Sequence, residues 1–269
     1  MKTKGLRILV NIAAMITFGT LGFLLLFILI KGIPYVNLDF FSKTYTQQNA
    51  SVLPSLLTTL MVVAGSLLFA TPIGVFTAIY LVEYANRKST IVKIISVAID
   101  TLAAVPSIVY GLFGFLMFVT ALNFGFSLIG GILTTTIMIL PLIIRSTEEA
   151  LIAVNPSLRE ASYGLGAGKL RTIFNVVLPV AMPGILSGII LAIGRIVGES
   201  AALIYTLGSA TILPTSLGQS GRTMAVHMYM LAQEGLHVNQ AYATGVVLIV
   251  IVLILNFIST KASQHLQKQ

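Results

Sequence analysis

Residues 159–179, REASYGLGAGKLRTIFNVVLP, decide what kind of chain this is. The segment begins polar, carries Gly164, Gly166 and Gly168 in its middle, and ends on a Leu178-Pro179 step that opens onto an apolar run. Glycine permits the left-handed backbone of a sharp turn, and proline fits the first turn of a helix. The pattern predicts short amphipathic helices joined by a glycine turn, with a membrane helix starting at the Leu-Pro step. The small residues Ala161 and Ser162 leave one face of the first helix open to close approach by a partner. The shape is that of a docking knob.

Outward from this segment the chain turns apolar. Hydrophobic residues make up 57% of the 269 positions and charged residues 9%, against roughly 25% charged in a soluble domain. No soluble fold hides that much apolar surface. A hydrocarbon core about 30 Å thick takes about 20 apolar residues per helix. Six stretches suited to this stand at about 8–30, 53–81, 92–121, 128–144, 181–205 and 240–259. Each must be helical, because backbone groups inside lipid find no water to bond. The first run is too long for the apolar part of a signal peptide and has no small-residue cleavage site after it, so it is expected to stay attached as a span. Pro54, Pro72 and Pro106 predict kinks or broken turns in the second and third spans. Such breaks line substrate paths in transporters and also occur in ordinary membrane helices.

The distribution of Lys and Arg sets an expected orientation. With the N-terminus inside, the inner segments hold Lys2, Lys4, Arg7, Arg87, Lys88, Lys93, Arg145, Arg159, Lys169, Arg171, Lys261 and Lys268. The outer segments hold only Lys31, Lys43 and Arg222. Both termini are expected to be cytoplasmic, and the net charge of +8 is topological rather than a nucleic-acid footprint. Two connections exceed mere turns: an inner loop at about 145–180 and an outer loop at about 206–239, where soluble partners dock. The chain contains no cysteine, which excludes disulfides, thiolate metal sites and a Cys nucleophile.

The 159–179 segment closely resembles the EAA signature of importer-type ABC permeases. Glu160, Ala161, Gly166, Leu178 and Pro179 match at the family spacing, with Ser162 in place of the second Ala and Val176 in place of an Ile. The resemblance implies an all-α integral membrane protein with the six-helix, MetI-like importer permease fold, a single domain over 1–269. It further implies that Glu160, Ala161, Ser162 and Gly166 form a cytoplasmic coupling helix seated on a separate ATPase. The GLGAGK run within it is not a nucleotide site. A phosphate-binding P-loop needs four residues between its glycines and Ser or Thr after the lysine. Here three separate Gly164 from Gly168, and Leu170 follows Lys169. ATP is expected on another chain, with no cofactor or metal on this one.

The likeness extends over most of the chain. IMILPLIIRSTEEAL at 137–151, GRIVGESAALIYT at 194–206 and GRTMAVHMY at 221–229 resemble the A-type permease of the bacterial phosphate-specific transport system. This implies phosphate as cargo, a second related permease chain, an external phosphate-binding protein and a place in the bacterial cell membrane. Permeases for molybdate or sulfate share the EAA element and are the alternative.

Charge chemistry points toward an anion as well. Arg195 and Glu199 stand four apart in a span otherwise nearly free of ionisable groups, which predicts that they share one helix face. A charge at the bilayer centre costs at least about 2.5–3.5 kcal/mol, so such residues default to function. Arg195 offers a planar fork suited to phosphate, and the resemblance implies that both residues take part in its passage. An internal Arg195–Glu199 ion pair that only holds helices together is the other outcome. Asp100 would repel an anion and is expected to pair with a basic residue. Arg145 is explained by the positive-inside rule, and Thr134, Thr135 and Thr136 either face an anion or hold helices together. His227 and His237 lack ligand spacing and are expected in surface or loop packing. With no histidine inside a span, an intramembrane enzyme lacks its base, and no repeat suggests an ion-coupled carrier.

Overall fold

The computed structural model describes residues 2–86 and 88–266, with side chains over 5–86 and 88–261. Arg87 and Lys268 lie outside the described residues, as do the side chains of Lys2, Lys4 and His265. The described residues form helices and connecting turns, without strands. Five helices are long and apolar enough to cross a membrane, or six with one bent pair counted as a span.

The centre is α5 (Leu128–Ile152), whose most apolar window is 67% buried, against 0% for α1 (Lys2–Gly32). α5 packs between α2 (Leu53–Ile79) and α8 (Leu178–Val197). Small residues set these approaches, as expected where lipid supplies no hydrophobic drive between helices. A Cβ on Gly74 would stand 2.7 Å from Ile143, and one on Gly184 would stand 2.6 Å from Ala150. Ser66 and Thr135 share a 2.5 Å hydrogen bond across the α2–α5 seam. Thr134 and Thr136 bond back to Gly130 and Ile132 within their own helix. All three threonines are buried with their hydroxyls bonded inside the protein, and Thr135 ties α5 to α2.

α1 lies at the periphery against α11 (Val238–Leu266). Its large apolar side chains, among them Leu9, Phe18 and Phe23, are exposed and suit a lipid surround. Gly32 and Gly245 allow the close approach, and Phe27 meets Tyr242 edge-on at 5.7 Å.

Three expectations about the spans change. The stretch at 92–121 is not one straight crossing: α3 (Thr90–Ala104) and α4 (Ser107–Gly114, continued by a π-helical turn to Ala121) meet at 101°. Pro106 is the cause, because its ring drives the preceding Val105 into extended backbone, here φ −67° and ψ 130°. The fourth span runs past 144 to Ile152, so Arg145, Glu148 and Glu149 belong to α5 and not to the inner loop. The fifth span starts earlier and ends earlier. α7 (Lys169–Thr172) runs through a π-helical turn at Ile173–Val177 into α8, making one rod from Lys169 to Val197. Leu178-Pro179 thus lies within a helix instead of starting one, and the widened turn beside it accommodates a ring that lacks an N–H.

Candidate functional site

The segment expected to form a docking knob is built as two arms. α6 (Pro156–Gly164) is capped by Asn155, whose side chain accepts from the Ser157 N–H, with Pro156 at its first turn. The chain then reverses through Gly166 at φ +82°, a left-handed conformation that explains glycine there. Ser162 does not face outward: its hydroxyl meets that of Thr172 at 2.8 Å and ties the arms together. Glu160 and Ala161 are exposed. Around them stand the exposed Leu158, Tyr163, Leu165 and Leu170, Leu165 being 89% exposed. Exposed apolar residues gathered on a charged loop mark a protein interaction surface.

Arg159 anchors this knob to the membrane helices. Its guanidinium donates from Nε (3.0 Å) and Nη2 (2.8 Å) to one Glu83 carboxylate oxygen, and to the Val154 and Leu151 carbonyls. Glu83 lies in the π-helical turn that ends α2. Sequence reasoning gave Arg159 only a topological role. No motif links it to an acid so far away along the chain.

Arg145 is likewise more than a positive-inside residue. It pairs with Asp100 at 2.7 Å and Glu148 at 2.6 Å and donates to the Ser96 carbonyl, clamping α3 onto α5. Asp100 therefore has the basic partner expected of it.

Arg195 and Glu199 do not share a helix face. α8 ends at Val197, Gly198 breaks the helix, and Glu199 precedes the short α9 (Ala201–Thr206). The buried Glu199 carboxylate accepts from the Ala202 N–H at 3.0 Å, placing a negative charge on the positive end of α9. Among the described residues no ion pair joins Arg195 to Glu199, and Arg195 makes no side-chain hydrogen bond. Glycine at 198, after a span with no other stop, was the sequence signal for this break.

Arg195 sits where two discontinuities meet. α4 packs on α9, with Gly111 so close that a Cβ would stand 2.8 Å from the Ala202 Cα. Tyr110, within reach of the Arg195 charge, donates its hydroxyl to the Leu102 carbonyl at 2.7 Å and spans the Pro106 break. Broken helices leave backbone dipoles and unpaired groups inside the membrane, as transporter sites use them. From Pro179 to Arg195 is about 24 Å of helix, most of the hydrocarbon depth.

The outer loop contains α10 (Met224–Glu234). His227 on it is fully buried, edge-on to Tyr45 with ring centroids 6.0 Å apart, rather than at the surface. Burial and then the Arg222 cation push its pKa down to about 3, and the Ala50 backbone opposes them without reaching hydrogen-bond geometry. His227 is neutral at pH 7.

Bilayer-length helices, an exposed two-armed knob at one end of a continuous helical rod and an unpaired arginine at a helix break near the other define a membrane transport permease. Residues 70–268 match the family of binding-protein-dependent transport system inner membrane components, and the chain belongs to that family. Probable ABC transporter permease protein YqgI of Bacillus subtilis (strain 168) is 33% identical over 249 residues, covering 86% of this chain and 84% of that protein. Phosphate transport system permease protein PstA of Haemophilus influenzae is 32% identical over 246 residues, covering 90% and 86%. For phosphate transport system permease protein PstA 1 of Mycobacterium tuberculosis the identity is 42% over 150 residues, 56% of this chain and about half (49%) of that protein. Among solved structures, a permease chain of a bacterial alginate ABC transporter matches with a TM-score of 0.70 at 16% identity, covering 96% of this chain and 95% of that one. A chain of the inward-facing methionine transporter MetNI matches at 0.65 and 19%, covering 80% and 94%. These likenesses show the importer-type permease fold.

Proposed function

We propose that this chain is one permease half of an ATP-driven importer of inorganic phosphate in a bacterial cell membrane. What carries the proposal is the free guanidinium of Arg195 at a helix break, in a chain whose relatives across most of its length are named as phosphate permeases. A fixed cation with no carboxylate partner is the group an anion path requires, and its fork matches two phosphate oxygens. Glu199 acts by holding α9, which positions the break beside Arg195.

The exposed knob of Glu160, Ala161, Leu165 and Gly166 seats on a separate ATP-hydrolysing subunit. Closure of that subunit moves α6, and the Arg159–Glu83 bond passes the movement to α2. A second, related permease chain supplies the other half of the path, and an external phosphate-binding protein delivers cargo to the outer loops. Both termini and the knob lie on the cytoplasmic side, a reading supported by the bias of basic residues toward the inner segments.

The test is purification with co-expressed neighbouring chains, followed by ATP hydrolysis in nanodiscs with each anion and its binding protein. Stimulation by phosphate and retention of an ATPase subunit are expected. Stimulation by molybdate or sulfate instead of phosphate overturns the cargo assignment and leaves the permease role standing.

A further inference from the structure

Arg222 is 4% exposed, and its Nε and Nη2 have no hydrogen-bond partner. Those two groups form one edge of the guanidinium, the edge that grips two oxygens of an oxyanion side by side. No acid answers it. Of the eight acids, Glu83 pairs with Arg159, Asp100 and Glu148 pair with Arg145, Glu199 accepts from the Ala202 N–H, and none, Asp39, Glu149, Glu160 and Glu234 included, comes within ion-pair distance of Arg222 among the described residues. The Tyr45 ring lies 4.6 Å from its central carbon, which eases a buried charge but satisfies no N–H. An uncompensated buried cation is among the costliest arrangements in a fold.

Two neighbours in the chain share the deficit. Thr223 stands at the N-cap of α10, where a hydroxyl ordinarily accepts from the first turn, yet its Oγ1 is buried and unpartnered. His227, one turn further on, has neither ring nitrogen bonded. Because the ring is neutral, one of those nitrogens carries a proton, and the Ala50 backbone stands nearest to accepting it without closing a hydrogen bond. The segment is pinned by the Met224 N–H, which donates to Thr59 on α2 at 2.9 Å. A guanidinium edge, a hydroxyl and an imidazole, all buried and all unsatisfied, cluster at the start of an 11-residue helix whose positive end favours an anion.

We propose that Arg222, Thr223 and His227 form a second oxyanion site in the outer loop, separate from Arg195, that takes phosphate. Its anion chemistry stands on these side chains, and the choice of phosphate rests on the proposed function.

The experiment is equilibrium binding of radiolabelled inorganic phosphate to the full chain with its partner chains in nanodiscs, in an Arg195→Gln background. Saturable binding should persist there and weaken roughly 10- to 100-fold on adding Arg222→Gln. Thr223→Val, which keeps the cation, should weaken it roughly 2- to 10-fold and serves if Arg222→Gln does not assemble. Saturable binding of sulfate without phosphate overturns only the ligand and, with it, the cargo assignment. No saturable anion binding in the Arg195→Gln background, or affinity unchanged by both added variants, overturns the site. Unchanged affinity with a partner chain lost on Arg222→Gln means that Arg222 pairs with that chain's carboxylate instead.

Discussion

Arg159 and Glu83, 76 positions apart, form an ion pair in which two guanidinium nitrogens converge on one carboxylate oxygen at 3.0 and 2.8 Å. The Glu83 side chain is 7% exposed and that of Arg159 18%, so the pair is largely withdrawn from water. It joins the first residues after the docking knob's cap to the end of α2, and α2 packs along the central helix.

Removing one partner strands the other charge. Glu83→Ala or Arg159→Ala should destabilise the permease by about 3 kcal/mol, and the double variant by clearly less than the sum. Thermal unfolding in detergent measures both. Additive losses would mean that the two residues do not interact.

The knob should separate docking from folding. A Cβ at Gly166 meets nothing, so Gly166→Ala bears only the backbone strain of φ +82°, about 1 kcal/mol, while Gly166→Pro cannot adopt that angle at all. Ala161→Trp and Leu165→Asp change exposed surface, so the fold should persist while the ATPase no longer co-purifies. Retention of the ATPase by both would remove the docking role from this face.

The seam between α4 and α9 is as tight as a glycine allows. Gly111→Val drives a side chain into the Ala202 backbone and should cost about 1–3 kcal/mol while lowering uptake. Uptake assays on correctly inserted protein decide it, and unimpaired transport would show that the two broken helices need not touch.

His227 gives the outer loop a pH dependence. Its folded pKa of about 3 lies below the ordinary 6.5, so the unfolded chain binds the extra proton. Stability from this group is full above about pH 6.5 and is lost as pH falls toward 3, amounting to about 2 kcal/mol between pH 7 and pH 5. The Tyr45 ring and the Arg222 cation face the imidazole. His227→Phe should flatten this part of the unfolding profile. An unchanged profile would mean that His227 is not buried neutral.

The spans and the knob were legible in the sequence because hydropathy and glycine placement act locally. Five of the apolar stretches correspond to helices of bilayer length, and the turn at Gly166 follows from its spacing. Pro106 announced a break, but a 101° bend depends on what α3 and α4 pack against. Spacing alone put Arg195 and Glu199 on one face, and Gly198 between them undid it. The Arg159–Glu83 and Arg145–Asp100 pairs stayed invisible, since partners 76 and 45 positions apart meet only through tertiary packing. His227 read as an ordinary loop residue for the same reason, and Arg222 stood out only within the 221–229 run that carries the family resemblance.

Arg195 as the group that meets the passing anion is tested most directly by radiolabelled phosphate uptake into proteoliposomes containing the complete importer. Because Arg195 has no carboxylate partner among the described residues, Arg195→Gln strands no charge and should insert, assemble and bind its ATPase normally. Uptake should fall roughly 10- to 100-fold, with Arg195→Lys in between because it keeps the charge and loses the fork. Wild-type uptake by a well-assembled Arg195→Gln importer would contradict the account and leave Arg195 as part of the architecture.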